Sequence, residues 1–397
     1  MSAFPRMNFS IIGTGYVADM YPVTLGNHPG LKFTGAWDSN ESNLDAFLKR
    51  WPVKKYASLE DLLADESVQL VLNLTNPRSH FEITRRCLEA GKHVYSEKPM
   101  GMTINEARGL ADLAAAKNLL LVSAPCSVLS TTAQTLWQAV RAQVIGKVRL
   151  VYANFDDGMI APRQQPWCWK SASGVPWPAK DEFEIGCTYE HAGYVLTWLA
   201  AMFGPAKRVT SFASCQIPDK GIAVESMAPD FTVGCIEYAD NVVARVTCGL
   251  VAPLDKSLTV IGDNGELFVG NVRNDVGPVF HRRAGLSRLQ GALARRPRWL
   301  MRWLESRFAI SCWPVLFQRK LPPFRPVKEQ LVGPDKPVDF LRGPAEMAAA
   351  IREQRPCRLS AELGVHIVEI VEALQHPERC GGRKEMTTTF APMSPLS

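Results

Sequence analysis

The chain predicts an α/β fold, an N-terminal Rossmann parallel sheet followed by a C-terminal α/β domain with a largely antiparallel open sheet. Three observations predict it. Strand-like and helix-like runs alternate from Asn8 to about Ala124, as βαβ units require. A glycine-rich turn, Gly13-Thr14-Gly15-Tyr16-Val17-Ala18, follows the first strand-like run. Beyond Ala124, short runs at tight spacing alternate apolar with polar residues, the pattern of a sheet open on one face. The domains read as 1–125, 126–380 and a tail at 381–397 whose last dozen residues look loose.

In the first domain, strands are expected at Phe9–Ile12, Lys32–Ala36, Val68–Leu74, His93–Ser96 and Leu119–Ser123. Helices fall between them, near residues 16–21, 41–50, 59–64, 79–90 and 103–117. Thr103-x-x-Glu106 is a capping box at a helix start, and Gly91 stands where a helix should stop. Pro22 kinks or ends the first helix. In the second domain a helix runs from Thr131 to Ala142, and strands follow at 148–155, 208–215, 231–238, 242–250 and 257–261, the last ahead of an Asp263-Asn264-Gly265 turn. Residues 156–180 are rich in Pro, Trp and Gly and read as a long loop, and Pro344–Glu353 and Ala361–Gln375 read as helices.

Composition narrows the class. With 397 residues, 46% hydrophobic and 21% charged, the chain is ordinary globular material, long enough for two cores. The formal charge of +6 is concentrated in Arg282–Lys320, so it gives no reason to expect nucleic acid as a partner. Ten cysteines form no Cys-x-x-Cys and no ligand-like pairing with histidine, so no metal site is expected and the thiols read as apolar residues of a reducing compartment. No apolar run reaches membrane-span length, and a cytoplasmic protein is expected. Segment 284–335 is a basic insertion carrying Trp299, Trp303 and Trp313, with an amphipathic helix over 286–308 broken by Pro297; it reads as an inserted lobe or subunit contact, or else as a peripheral-membrane or partner-docking element.

The glycine turn reads as a dinucleotide site. Gly13 permits the tight turn, Gly15 lets the backbone approach a pyrophosphate, small Ala18 lets a helix pack close, and that helix's N-terminus offers free N–H groups. Asp38 closes the second strand 25 residues past Gly13, near the ~20-residue spacing of the acid that holds a ribose diol. Ser39 and Asn40 follow it with no Arg or Lys for a 2′-phosphate, so the reading favours NAD over NADP. Glu97-Lys98-Pro99 ends the fourth strand, where open α/β sheets bind ligands, and Lys98 can favour the ionised form of a substrate hydroxyl there.

These features, in this order and with Thr75-Asn76-Pro77-Arg78-Ser79-His80 after the third strand, resemble the Gfo/Idh/MocA oxidoreductase family over nearly the whole chain outside 284–335. The resemblance implies a nicotinamide cofactor, a homo-oligomer assembled through the open sheet, and Lys98 as catalytic lysine. It places Gly13, Thr14, Gly15, Tyr16, Val17, Asp38, Thr75, Asn76, His80, Glu97 and Lys98 along the cofactor. The family's second catalytic element, Asp-x-Gly-x-His, corresponds to Glu190-His191-Ala192-Gly193-Tyr194 here, with Glu for Asp, Ala for Gly and Tyr for His. Residues four apart share a helix face, so Glu190 and Tyr194 point together, while His191 points about 100° away on an ideal helix. Tyrosine is a poor base at neutral pH unless a cation such as Lys98 lowers its pKa, so His191 stays open as a rival proton acceptor. Trp167 and Trp169 are candidates to stack on a sugar ring, or to pin their loop.

The expected activity is hydride transfer between NAD and a secondary alcohol or ketone of a sugar, sugar derivative or cyclitol. Two other uses of the same architecture stay open: glycoside cleavage with bound NAD and no net redox, and dinucleotide binding by a sensor or corepressor.

Overall fold

The structure, a computed structural model, describes residues 6–160, 163–284, 319–324 and 338–396. The amphipathic helix expected over 286–308 and its tryptophans lie outside them.

The first sheet contains β1 (Met7–Ile12), β2 (Leu31–Trp37), β3 (Lys54–Lys55), β4 (Leu70–Asn73), β5 (His93–Ser96) and β6 (Leu121–Ser123). It is wholly parallel in the order β3-β2-β1-β4-β5-β6. Its central strands are apolar on both faces because helices cover both: Phe9, Ile11, Ile12, Leu70, Val71 and Leu72 are all 0% exposed. The helices are α1 (Glu41–Arg50), α2 (Leu59–Ala64), α3 (His80–Glu89) and α4 (Ile104–Ala116), and Asn40, Ser58 and Thr103 cap α1, α2 and α4 with side-chain oxygens. Chain direction across the sheet reverses between β1 and β4, the switch point where such sheets bind ligands.

One expected helix is absent. Residues 16–21 form no α-helix; Ala18–Met20 and Pro22–Asn27 are two short 3₁₀ segments. Pro22 has no N–H to bond back along an α-helix and its ring collides with the preceding turn, so the chain restarts there.

The second sheet has nine described strands: β7 (Val148–Asp156), β8 (Arg208–Ser214), β9 (Phe231–Glu237), β10 (Val243–Gly249), β11 (Leu258–Gly262), β12 (Gly265–Val269), β13 (Val279–Arg283), β14 (Arg319–Lys320) and β15 (Arg383–Glu385). All neighbours are antiparallel except β7 and β10. The Asp263-Asn264 turn joins β11 to β12. Helices α5 (Thr131–Arg141), α6 (Ala179–Ile185), α7 (Gly193–Phe203), α8 (Arg342–Glu353) and α9 (Ala361–Gln375) complete the described domain. The other face is open, with Leu150, Tyr152 and Phe212 exposed.

Helix α9 joins the halves: its Val365 and Val368 share a core with Leu110, Ala114 and Leu121 of the first sheet's layer. The C-terminal residues are not loose. The buried Glu369 carboxylate accepts from the backbone N–H and hydroxyl of both Thr387 and Thr388, and Phe390 is buried against His366. These anchors lie on α9, outside the segment, which is why the segment's own polar composition concealed them.

Candidate functional site

A cleft of about 1280 Å³ opens at the carboxyl ends of β1, β2, β4 and β5 and is walled on its far side by segments of the second domain. Usual small-molecule pockets run to roughly 300–1,000 Å³, so this one has room for a dinucleotide and a further ligand. Gly13 has φ +89°, and a Cβ there would lie 2.7 Å from the Leu74 carbonyl carbon. A Cβ on Gly15 would meet no protein atom within 4 Å and would project toward the cleft that Gly15 lines. Tyr16 and Val17 also line the cleft. Thr14 does not: it is fully buried, and its N–H and hydroxyl donate to Asp38 Oδ2 at 2.6 and 2.8 Å. Thr14 thus fixes the carboxylate that faces the cleft, while Asp38 Oδ1 accepts from Asn40 N–H at 2.8 Å. Ser39, Asn40 and Asn43 beside it bring no cation. Glycine turn, open backbone and strand-end carboxylate together suit a dinucleotide.

The loop after β4 supports this wall. Thr75 donates its hydroxyl to Asn73 Oδ1 at 2.7 Å. His80, 1% exposed, sets its ring nitrogens 2.7 Å from the Pro99 carbonyl oxygen and 3.0 Å from the Thr75 carbonyl oxygen, so it sits between the two loops that carry Thr75 and Lys98 and its neutral ring donates to one of them; burial pushes its pKa down against both carbonyls. Asn76 Nδ2 donates to Asp181 Oδ2 of α6, and Arg78 pairs with Glu184 at 2.9 Å. Asp19 reaches across as well, accepting from Ser173 N–H at 2.7 Å and from Trp51 Nε1 at 2.9 Å. These bonds strap segment 171–185 of the second domain over the cleft.

At the inner end, Lys98 Nζ contacts Glu190 Oε2 directly. Burial works against the Lys98 ammonium, but the carboxyls of Glu190 and Glu182 outweigh it and hold its pKa above the ordinary range. Burial and the neighbouring Glu190 push Glu182 well above the usual carboxyl range, against the pull of Lys98. Glu97 accepts from Tyr21 hydroxyl at 2.7 Å and from Lys98 N–H at 3.0 Å. Tyr194 stacks on Phe155 at 5.1 Å with the Arg273 guanidinium 4.8 Å over its ring, and burial pushes its pKa up, so it remains a neutral phenol.

Glu190 and His191 lie on a single π-type turn, Thr188–Ala192, that leads into α7. Against the expectation from an ideal helix, His191 borders the same cleft as Glu190 and Tyr194, because the cleft is broad enough to follow the turn. Its Nε2 is 3.0 Å from Asp157 Oδ2, its ring stacks on Phe155, and Nδ1 is enclosed without a partner among the described residues. Burial pushes its pKa down to about 4, so it is neutral. Burial also works to raise Asp157, but His191 and the Lys256 ammonium in contact with it hold that carboxyl below the ordinary range.

The cleft thus gathers Lys98, Glu190, Tyr194 and His191. Trp169 lines it and Trp167 does not; a Cβ on Gly221 would lie 3.0 Å from the Trp167 ring, so that tryptophan pins its loop to the domain. Trp177, which sequence reading missed, takes the second place, 5.4 Å from Trp169 between ring centroids. Asp157, Glu182, Lys256 and Arg273 were missed too. Only Asp157 carried a signal, as half of an acidic pair at a strand end.

Residues 7–124 match the model of an oxidoreductase family with an NAD-binding Rossmann fold, and residues 133–268 match the Gfo/Idh/MocA C-terminal domain. An uncharacterized oxidoreductase of Schizosaccharomyces pombe is 30% identical over 51% of the chain and 53% of its own length. The trans-1,2-dihydrobenzene-1,2-diol dehydrogenase of Sus scrofa is 26% identical over 53% of the chain and 58% of its own length. The chain thus spans little more than half of these relatives. The fold is that of the aldose-aldose oxidoreductase of Caulobacter crescentus, with a TM-score of 0.71 over 96% of this chain and 100% of that one at 15% identity.

Proposed function

Because the chain belongs to the Gfo/Idh/MocA oxidoreductase family, we propose that it is an NAD-dependent enzyme that moves hydride to or from a secondary alcohol or ketone carbon of a sugar, sugar derivative or cyclitol. The observation that carries this reading is the continuity of one cleft from Asp38 and the glycine turn to the pair of half-buried Lys98 and buried Glu190. The relatives act, by name, on a diol and on aldoses, which agrees with a hydroxyl-bearing substrate. The choice of NAD rests on the Asp38 carboxylate, which suits a ribose diol and repels a 2′-phosphate.

The dinucleotide, when bound, supplies the acceptor or donor of hydride. Gly13 and Gly15 would admit its pyrophosphate, and Asp38, held by Thr14, its ribose hydroxyls. Oxidation of an alcohol also releases the hydroxyl proton. Lys98 holds the reacting oxygen through its ammonium, and Glu190, bonded to that ammonium, is the base that receives the proton relayed by Lys98. Tyr194 donates a neutral hydroxyl to the substrate and takes no proton. His191 does not serve as the base, since one ring nitrogen is engaged by Asp157 and the other is enclosed. Trp169 and Trp177 offer faces to a sugar ring.

The test follows nicotinamide absorbance across sugars, cyclitols and their derivatives. On any substrate found, Lys98→Met should lower kcat by about 10²–10⁴-fold with dinucleotide affinity retained; full turnover by that variant would defeat the reading. The partner assigned to the open sheet face is a second copy of the chain, through Tyr152 and Phe212. Light scattering should then find Tyr152→Glu in a smaller assembly than the parent.

A further inference from the structure

Three carboxylates lining this cleft around Tyr194 are matched. Glu190 is bonded to Lys98, Asp157 to Lys256, and Glu97 accepts two hydrogen bonds. Arg273 is a cation without such a match. Its guanidinium lies over the Tyr194 ring and lines the cleft, and among the described residues no carboxylate stands within salt-bridge distance of it. A guanidinium that gives up part of its hydration for an aromatic face keeps its N–H fork for a planar anion.

The position is built. Val272 N–H donates to the Lys256 carbonyl at 2.9 Å, and Asn271 Oδ1 accepts from Arg273 N–H at 2.8 Å. Thr132 Oγ1 donates to the Asn274 carbonyl at 2.6 Å. The buried Asp275 pairs with Arg342 at 3.3 Å and accepts from Asp339 N–H at 2.8 Å. The backbone on both sides of Arg273 is thus tied to α5 and to the segment entering α8, so the guanidinium is presented from a fixed turn. Tyr194, which it covers, also lies within the field of Lys98.

We infer that Arg273 recognises an anionic group on the substrate, so that the enzyme acts on a sugar or polyol bearing a carboxylate or a phosphate rather than on a neutral one. This rests on the hydride-transfer reading for the reaction, but not for the binding. A bidentate pair between guanidinium and carboxylate or phosphate fixes orientation as well as charge, and would present one particular carbinol to Lys98.

Calorimetric titration of the dinucleotide-loaded enzyme with uronates, aldonates, sugar phosphates and their neutral parents tests it. The anionic members should bind at least about tenfold more tightly than the neutral ones, Arg273→Gln should erase that ratio, and Arg273→Lys should keep part of it. Carboxylates and phosphates, titrated separately, tell which anion is meant. The inference is overturned if the parent enzyme binds anionic and neutral members alike, or if Arg273→Gln keeps the preference. It is also overturned if Arg273→Gln weakens dinucleotide binding as much as sugar-acid binding, since the cation would then serve the cofactor. Binding of anions through Arg273 with no turnover would instead sink the hydride-transfer reading and leave the anion site standing.

Discussion

The two walls of the cleft are built differently. The first-domain wall comes from loops at the ends of four neighbouring strands of one parallel sheet, and Gly13, Asp38, Thr75 and Lys98 each sit where a strand stops. The second-domain wall collects Asp157, Trp169, Glu182, Glu190, Lys256 and Arg273 from separate segments, held by ion pairs and aromatic stacking. A dinucleotide is a constant ligand and a strand-end wall repeats it; a wall assembled from scattered segments is free to change with the substrate.

Glu190→Gln should break the comparison most sharply, because Glu190 is the point where the second wall reaches the lysine of the first. Loss of the proton acceptor should lower kcat by about 10²–10⁴-fold. Asp157→Asn removes a carboxylate from the same wall without touching Lys98, so its effect should appear in KM. Equal losses of kcat in both variants, measured in steady state, would mean that Glu190 has no special part in proton transfer.

Asp38→Ser with Ser39→Arg tests the opposite wall alone. Removing a carboxylate that accepts from a diol forfeits about 1.5–3 kcal/mol, so kcat/KM with NAD should fall roughly 10–100-fold. That with NADP should rise, and the sugar KM should not move. A shift in sugar KM would show that the walls are not independent.

The sequence made the first wall readable because each of its residues follows a local signal: a glycine turn, a strand-end acid, a lysine before proline. The parallel sheet and the open second sheet were legible for the same reason, since period and turn residues are local. The failures differ in kind. Pro22 was legible as a helix breaker, but its effect reaches back over the whole of 16–21, while Thr387 and Thr388 are held by Glu369 on α9 and Arg273 meets Tyr194 only once β11, β12 and α7 have assembled. Trp167 and Trp169 are indistinguishable in sequence, and only the contact with Gly221 separates them.

Acid should affect the second wall through His191. Above about pH 7.5 the ring is almost wholly neutral whether the chain is folded or not, and it adds little pH dependence. Between there and its folded pKa of about 4, the unfolded chain takes up a proton that the fold refuses, so stability falls with falling pH. At pH 5 the loss is about 2 kcal/mol relative to pH 7.5. Urea unfolding of the parent and of His191→Asn at the two pH values isolates it: the parent should lose that much more than the variant. Equal losses would place the ring in a solvated setting rather than enclosed between Phe155 and Asp157.

The smallest expected effect divides the two neighbouring tryptophans. Trp169 lines the cleft beside Trp177, and removing its face with Trp169→Ala should cost sugar binding about 1 kcal/mol, roughly fivefold in KM, with dinucleotide affinity kept. Trp167 packs over Gly221, outside the cleft, so Trp167→Ala should lower the unfolding midpoint and leave the sugar KM where it was. Steady-state kinetics and thermal unfolding of both variants read the division directly. If Trp167→Ala raised KM as much as Trp169→Ala, the whole loop, and not one ring, would be the unit that meets the sugar. The second wall would then depend on the strap from Asp19 to Ser173 more than on any single aromatic face.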